Sequence, residues 1–495
     1  MSEAQKENTV FKNMVLYGIG GALSQAAGLI TLPLMTRVLT SQEYGSIEVI
    51  TATTGYFSLL IGLNTMSGLY RFFYDMNTKE SDRKSLVSTT MLFVALTGLA
   101  VALLSIFLSP IFAQNLFGEA SYTAVIRLAF SALIPVAVYT YALGLLRIQN
   151  KALPYIIIAL IVSVIYMGCV VLFIAVFKVG IPGYYCSQII SNTIGAGLAL
   201  FFSRQYLSLK FSTYWLKRLA KYSFPLIPGT LFGWSLSANN RIFLNAAASE
   251  VEVAYYGLAN KATIVITLAT QAFCNAWEPT MYSLLQRVEK IRRTLPMMLS
   301  LYTFGALGIC TLVMTIAREI FLFLAPPEYL AGIGLLGIMQ FRWLFTMGVY
   351  VIDPGTAKSG KTWWVSLMLG LAVAVNTLAN LLLTPRLGLY GAVISELLGY
   401  VTAMVGRWLI SNRLFQIAWN YRYFLLVTAA YGLTAWFQTR VILSDLTWGW
   451  SFLARLLPAA GFFVFSWLLL DRESKTFVTT ALKPVWDRLR RRKPV

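Results

Sequence analysis

Long runs without a charged residue recur along the whole chain, and they limit its fold more than any other feature of the sequence. They cover residues 85–118, 152–177, 179–203, 294–317, 362–385 and 423–439. About 20 apolar residues, rising 1.5 Å each, cross a hydrocarbon core of roughly 30 Å. The runs therefore predict membrane-spanning helices. They are too long and too uniformly apolar for the strands of an outer-membrane barrel.

The composition fits a polytopic membrane protein. Only 12% of the residues are charged and 58% are apolar, whereas about 25% of the residues of a soluble domain are charged. Segments that carry one or two charges fill the gaps, so the sequence predicts an all-α fold of about fourteen transmembrane helices. The predicted spans are residues 10–36, 44–70, 86–110, 122–146, 153–177, 181–203, 222–247, 253–280, 296–317, 332–352, 362–384, 389–410, 423–441 and 450–470.

The basic residues are distributed unevenly between the two sides of these helices. Of 40 lysines and arginines, 30 stand in the tails and in the loops on the amino-terminal side. Because short basic loops stay in the cytoplasm, both termini are predicted to be cytoplasmic. The formal net charge of +20 is mostly this asymmetry, so it requires no nucleic-acid partner.

The residue types exclude several kinds of active site. The chain has no histidine, which excludes histidine proton relays, histidine metal sites and serine–histidine or cysteine–histidine catalysis. Its four cysteines stand in apolar segments without a CxxC pair, as packing residues do. We predict no metal, no cofactor and no enzymatic activity.

Two twelve-residue stretches indicate an internal repeat. Residues 178–189 read KVGIPGYYCSQI and residues 386–397 read RLGLYGAVISEL. A Tyr-Gly dipeptide at 44–45 recurs at 256–257, at nearly the same offset. These anchors predict two halves of six helices each. An even number of helices gives both halves one orientation, about an axis along the membrane normal, as in many transporters.

The repeat predicts two six-helix lobes related by pseudo-two-fold symmetry, plus two C-terminal helices. Substrate is expected between the lobes, with access alternating as they rock. In the linker, Leu207, Phe211, Trp215 and Leu219 stand four apart among basic residues, which predicts one helix lying on anionic lipid. The predicted parts are the N-lobe 1–203, the cytoplasmic interfacial linker 204–221, the C-lobe 222–410, the last two helices 411–470 and a basic cytoplasmic tail 471–495.

Three further stretches are informative: LPLMTRVLTSQEYG at 32–45, NNRIFLNAAASEVEVAYYGLANKA at 239–262, and residues 359–396, which begin SGKTWWVSL. They resemble bacterial O-antigen and exopolysaccharide flippases of the multidrug/oligosaccharidyl-lipid/polysaccharide exporter superfamily. The resemblance implies movement of an undecaprenyl-diphosphate-linked oligosaccharide from the cytoplasmic to the periplasmic leaflet of the bacterial inner membrane. It implies this lipid-linked oligosaccharide and membrane lipids as partners, with a polysaccharide polymerase complex as a further candidate. Where that family often has an acid before the seventh-helix arginine, this chain has Asn240.

Ionisable side chains inside a bilayer cost about 2.5–3.5 kcal/mol on insertion scales, so those in predicted helices are candidates for function. A diphosphate requires cations there, and Arg offers bidentate hydrogen bonds where Lys offers a point charge. The alternative is that a cation has a structural role or binds lipid headgroups. This alternative is strongest for residues near helix ends. The candidates for diphosphate binding are Arg241, Lys261, Arg342, Arg37 and Arg127.

Two acids in predicted helices, Glu48 and Glu396, are candidates for ion coupling. They could bind H⁺ or Na⁺, or they could pair with a cation of the cavity, which is the simpler interpretation. A multidrug/cation antiporter of the same superfamily would need carboxylates in its cavity, whereas cations outnumber acids here. A membrane glycan polymerase or ligase would need a large periplasmic loop or an acidic pocket, and the predicted periplasmic loops are short.

Overall fold

The computed structural model of the protein describes residues 27–74, 80–208, 210–285, 287–359, 361, 363–444 and 446–480. Within these ranges the chain is almost entirely helical and has no strand, which confirms the predicted all-α class. The predicted span at 10–26 and the tail at 481–495 lie outside the described residues. The helices are α1 Ala27–Val38, α2 Ser41–Ser58, α3 Thr65–Phe73, α4 Glu80–Phe117, α5 Tyr122–Ile148, α6 Ala152–Val170, α7 Ile181–Phe202, α8 Thr213–Ser223, α9 Ile227–Ala247, α10 Glu250–Ala262, α11 Ile264–Leu284, α12 Val288–Thr315, α13 Ala317–Leu324, α14 Ile333–Ile352, α15 Pro354–Ser359, α16 Trp363–Leu387, α17 Leu389–Leu414, α18 Tyr421–Ile442 and α19 Trp448–Leu469.

The described helices are those of a multi-pass membrane protein. Eight spans are long and apolar enough to cross a bilayer, and nine if α2 and the segment Gly62–Phe73, bent by 41°, form one span. Each of the fourteen predicted spans overlaps at least one described helix. The count of fourteen crossings remains a prediction, because several of these helices are too short or too polar to qualify by length and composition alone.

Exposure of the apolar helices shows which of them face lipid. In α16 and α19 only 22% of the most apolar window is buried within the protein, and in α4 only 28%. The corresponding window of α12 is 61% buried. A helix that is apolar all round yet exposed requires an apolar solvent, so α4, α16 and α19 present their side chains to hydrocarbon, whereas α12 packs among its neighbours.

Backbone contacts divide the chain into two compact units. The first unit comprises residues 1–254 with 324–326, and it includes α9 packed on α2. Gly55 of α2 allows this close packing, because a Cβ at Gly55 would lie 2.1 Å from the indole ring of Trp234. The second unit comprises residues 255–323 with 327–495. The predicted lobe boundaries at 203 and 222 were derived from the sequence repeat, whereas these units are defined by contacts. The lobe boundaries therefore remain a prediction.

The starts of α7 and α17 share one local geometry. Their N-cap residues are Gly180 (φ 70°, ψ −143°) and Gly388 (φ 53°, ψ −128°), a backbone conformation that favours glycine. Three residues later, a Cβ at Gly183 would lie 3.0 Å from Phe173, and one at Gly391 would lie 2.4 Å from the carbonyl oxygen of Leu383. In each hairpin the glycine therefore lets a helix start against the end of the helix before it. This shared geometry supports the repeat.

The linker helix differs from the one predicted. The backbone N–H groups of Ser208 and Ser212 donate to the hydroxyls of Ser88 and Thr89 in α4, at 2.6 and 2.9 Å. These bonds keep the segment before α8 from forming a helix. The prediction of a single helix over the linker was therefore wrong, because α8 begins only at Thr213. Trp215 of α8 is buried on the protein and packs near α3, so it does not face lipid.

Reporter fusions test the orientation. A fusion at Lys493 is expected to be cytoplasmic, and one in the loop between α4 and α5, at residues 118–121, is expected to be periplasmic, because basic loops are retained in the cytoplasm. Alkaline phosphatase activity and green fluorescent protein fluorescence at each position measure this. Phosphatase activity at Lys493 would require an odd number of crossings and would contradict the fourteen-helix prediction.

Candidate functional site

In the first unit, Glu48 of α2 and Arg241 of α9 form a buried ion pair. Arg241 Nε lies 3.1 Å from Glu48 Oε2, and the two residues are 8% and 6% exposed. The hydroxyl of Tyr44 donates to Glu48 Oε1 at 3.0 Å. Tyr44 and Glu48 are four residues apart and therefore lie on one face of α2. The Tyr44 hydroxyl thus satisfies one carboxylate oxygen, and the guanidinium balances the buried negative charge.

The seam between α2 and α9 positions this pair. Trp234 Nε1 of α9 donates to the carbonyl oxygen of Ala52 at 3.3 Å, and the hydroxyl of Tyr56 donates to Asn239 Oδ1. These bonds stand within two turns of Arg241 on α9. They fix the register of the two helices and bring Arg241 opposite Glu48.

In the second unit, Arg342 of α14 and Glu396 of α17 form a second buried pair. Arg342 Nη1 donates to Glu396 Oε1 at 2.8 Å, and the hydroxyl of Tyr256 donates to Glu396 Oε2 at 2.7 Å. Arg342 Nη2 donates to Asn260 Oδ1 and, at 3.3 Å, to Thr263 Oγ1. Tyr256, Asn260 and Thr263 follow one face of α10 and its C-terminal end. Arg342 Nε is buried and has no hydrogen-bond partner among the described residues.

The two clusters have related parts. Tyr44 and Tyr256 are the tyrosines of the repeated Tyr-Gly dipeptide, and each donates to a glutamate that pairs with an arginine. The repeat aligns Glu48 with Asn260, and each of these two side chains contacts an arginine. Each unit therefore pairs a buried arginine with a glutamate that accepts from the tyrosine of the dipeptide, although the acid of the second unit comes from α17.

The structure joins two sets of residues that the sequence analysis treated separately. Each ion-coupling candidate pairs with one of the diphosphate candidates, so in this conformation neither pair carries net charge. Breaking a buried pair leaves an uncompensated charge, which costs about 3–5 kcal/mol. The arrangement can therefore exchange partners: an anion that reaches the arginine, or a proton that reaches the glutamate, replaces one member of the pair.

The remaining candidate cations lie in different settings. Lys261 is partly buried on α10, next to Asn260. Arg127 is exposed on α5, where Nε donates to Ser109 Oγ at 2.9 Å and Nη2 to the carbonyl oxygen of Ile106 at 3.2 Å, so it ties α5 to α4. Arg37 is exposed at the end of α1, and its Nη1 donates to the carbonyl oxygen of Pro33 at 3.0 Å.

The sequence analysis did not single out the residues that complete these clusters, nor a third ion pair. The tyrosine and asparagine partners could have been found, because the Tyr-Gly repeat marks Tyr44 and Tyr256 and helical spacing leads to Asn260. The third pair joins Arg455, which is completely buried on α19, to Glu319 of α13 at 2.8 Å. Arg455 was not among the candidates from the sequence, because a cation in the first turns of a helix normally reaches the headgroups.

No group of three or more cysteine, aspartate and glutamate side chains that could hold a metal ion occurs among the described residues. The four cysteines are described and form no disulfide.

A family model described as "Polysaccharide biosynthesis protein" matches residues 10–285 of the chain. A curated protein of Haemophilus influenzae, named "Lsg locus putative protein 1", is 24% identical over 329 residues. That match covers 63% of this chain and 75% of the Haemophilus protein.

Two solved structures share the fold over most of the chain. One is described as "Lipid II flippase MurJ, inward closed conformation"; it has a TM-score of 0.70 and 15% identity, and the match covers 93% of this chain and 99% of that one. The other is an inward-facing multidrug resistance MATE family transporter of the MOP superfamily, with a TM-score of 0.66, 15% identity and coverages of 80% and 94%. At this identity the likeness shows the fold and leaves the cargo open.

Proposed function

The chain belongs to the polysaccharide biosynthesis protein family, and from this premise we propose that it flips an undecaprenyl-diphosphate-linked oligosaccharide from the cytoplasmic to the periplasmic leaflet. The observation that carries the proposal is the family match over residues 10–285. This match also confirms the family resemblance inferred from the sequence. The chain also shares its fold with a structure described as a lipid II flippase, so the fold is one that a lipid flippase uses. Transport by alternating access of the two lobes is part of the proposal.

The buried arginines supply the chemistry for the diphosphate. Arg342 Nε is a buried donor without a partner among the described residues, and a phosphate oxygen would satisfy it. In the absence of substrate, Glu48 and Glu396 balance the charges of Arg241 and Arg342, which avoids the cost of an unpaired buried cation. We propose that the diphosphate takes over these guanidinium donors, with Lys261 adding a point charge.

The polyprenyl part of the substrate requires an apolar surface. In the second unit, α14 and α18 enclose a groove of about 400 Å³. Gly334, Gly337 and Gly432 line it together with Phe341 and Ile338. We propose that this groove holds part of the lipid tail during transport.

Reconstitution tests the proposed function. Purified protein in liposomes is expected to move an undecaprenyl-diphosphate-linked oligosaccharide between leaflets, as measured by its accessibility to an added glycosidase. A glycolipid with the same sugar on an uncharged lipid is expected to stay in its leaflet, because it offers no anion to the arginines. Equal movement of both lipids, or movement of neither, would contradict the proposal.

For the rate of flipping, the positive charge of Lys261 is expected to matter more than the shape of its side chain. Lys261→Gln should lower the rate of flipping at least tenfold, because one ion pair at 4 Å contributes about 4 kcal/mol at an effective dielectric of 20. Lys261→Arg keeps the charge and should retain most of the rate. Rates per reconstituted protein are measured for both variants, and equal rates for the two would show that the charge is not used.

The second candidate function is ion-driven export of a cationic compound. The buried carboxylates Glu48 and Glu396, one in each unit, favour it, as does the MATE-like fold. The double variant Glu48→Gln with Glu396→Gln separates the two candidates when assayed on liposomes with an imposed H⁺ or Na⁺ gradient. An antiporter would lose gradient-driven uptake of a cationic dye, whereas a flippase would show no dye uptake before or after the change. Glycolipid flipping that still responds to the gradient in this variant would place ion coupling elsewhere.

A further inference from the structure

A cavity of about 370 Å³ at one end of the first unit is separate from the buried ion pairs. It lies where the end of α1, the first turn of α2 and the turn before α7 meet. Its polar lining comes from Arg37, Glu43, Lys178 and Gly180, and its apolar lining includes Ile174. The predicted topology places this end on the periplasmic side.

The charges of the cavity favour an anion. Lys178 has no hydrogen-bond or ion-pair partner among the described residues, and Arg37 Nη1 donates to the carbonyl oxygen of Pro33. Glu43 is the opposing charge, but its Oε2 accepts from the backbone N–H of Thr40 at 2.9 Å and from the Thr40 hydroxyl at 3.1 Å. These three side chains sum to one positive charge, and the amino-terminal end of α7 adds partial positive charge.

The backbone holds Lys178 at the rim of the cavity. Its φ of +51° is unusual for a residue other than glycine. The neighbouring amides fix this conformation, because Phe177 N donates to the carbonyl oxygen of Leu172 at 2.9 Å and Val179 N donates to that of Phe173 at 2.8 Å. The ammonium group is therefore presented from a defined turn and not from a loose loop.

Exposed apolar side chains surround the charged cavity. Val176 and Phe177 are 61% and 60% exposed, and Val38 and Val179 are 40% and 42% exposed. In a membrane protein such residues face hydrocarbon. The site therefore combines a cationic cavity with an apolar border, which matches a ligand with a charged head and an apolar tail.

We propose that this cavity binds the phosphate group of a membrane lipid, with Arg37 and Lys178 as its ligands. Two kinds of lipid carry this chemistry: an anionic phospholipid of the bilayer, and the diphosphate lipid of the proposed function. The first assignment stands on the cavity alone. The second rests on the proposed function and makes the cavity a site that the substrate occupies after it has crossed.

Binding to the purified full-length protein in an uncharged detergent tests the proposal. The probes are dioctanoyl phosphatidylglycerol for the phospholipid and farnesyl diphosphate for the diphosphate lipid, with dioctanoylglycerol as the uncharged control. Lys178→Gln and Arg37→Gln should each weaken binding of a phosphate probe roughly tenfold, whereas Lys178→Arg should preserve it. Glu43→Gln should strengthen binding a few-fold, because it removes the opposing charge while its amide oxygen can still accept from Thr40.

Arg386→Gln is the matched control. Arg386 occupies the repeat position of Lys178 and is also exposed, but the repeat places Ser249 where the first half has Arg37. This variant should leave the affinity for both probes unchanged. Because the cations are partly exposed, added salt should weaken binding to the wild-type protein more than to Lys178→Gln.

The outcomes separate the lipid sources and leave the proposed function independently testable. If Lys178→Gln and Arg37→Gln weaken binding of phosphatidylglycerol alone, the cavity is a phospholipid site. If they weaken binding of farnesyl diphosphate alone, it is a site for the diphosphate lipid. Unchanged affinity of Lys178→Gln and Arg37→Gln for both probes overturns the site. If the wild-type protein flips no glycolipid but loses phosphatidylglycerol binding in these variants, the proposed function fails while the lipid-phosphate site stands.

Discussion

Replacing Arg342 with glutamine is expected to stop transport and to lower the free energy of unfolding by about 3–5 kcal/mol. The variant leaves Glu396, which is 1% exposed, as a buried charge whose remaining donor is Tyr256. The double variant Arg342→Gln with Glu396→Gln removes both charges and should recover most of the stability, since neutral amides can bond to each other and to Tyr256 and Asn260. It should still fail to transport, because the guanidinium for the diphosphate is absent.

Thermal unfolding of the purified protein, abundance in the membrane and flipping in liposomes are measured for both variants. Arg407→Gln is the control. Arg407 lies on α17, the helix that carries Glu396, but it pairs with Asp353 at 2.6 Å, away from the candidate site. This control variant should cost a comparable amount of stability, since the carboxylate of Asp353 is also left buried, and it should leave flipping unchanged. Normal flipping by the stable double variant would make the Arg342–Glu396 pair purely structural.

Replacing Glu319 with alanine is expected to destabilise the second unit by about 3 kcal/mol, more than Arg455→Met does. Arg455 is completely buried, and its guanidinium donates to both oxygens of Glu319 and to the carbonyl oxygen of Thr315. Without Glu319 the buried cation keeps only neutral acceptors. Methionine in place of Arg455 fills similar space and leaves a carboxylate that is 32% exposed and can be hydrated. Unfolding midpoints in detergent at neutral pH measure the order of the two effects, and the reverse order would contradict this account.

The same pair gives a pH dependence. Partial burial by itself raises the pKa of Glu319, but hydrogen bonds from Arg455 and Trp448 and the charge of Arg455 outweigh it, so the pKa lies below the ordinary value of 4.5. Since the folded-state pKa is the lower one, the pair contributes fully above pH 4.5, and its contribution disappears as the pH falls through the lowered pKa. Stability should therefore fall less steeply below pH 4.5 in Glu319→Gln than in the wild type, and parallel curves would show that the pair is not formed in solution.

The sequence by itself determined the class of fold, the placement of most helices and the family. Bilayer thickness sets the length of an apolar span, so uncharged runs locate helices such as α4, α6 and α16 without knowledge of their neighbours. The repeat could also be recognised from local sequence, because Gly180 and Gly388 adopt a backbone conformation that glycine alone adopts readily. The same reasoning identified Arg241, Arg342, Glu48 and Glu396, since a charge in an apolar helix is conspicuous.

Only the tertiary structure decided which charges meet. Glu48 pairs with Arg241 because Gly55 lets α9 pack closely on α2, and Arg455 is buried because α13 brings Glu319 to it. The cavity of Arg37 and Lys178 likewise forms where the junction of α1 and α2 meets the turn before α7, which is distant in the chain. Helical periodicity gives the face on which a side chain lies, but the partner across a helix seam depends on how closely and in which register two helices pack. That register is set by contacts between segments distant in sequence, which no local pattern records.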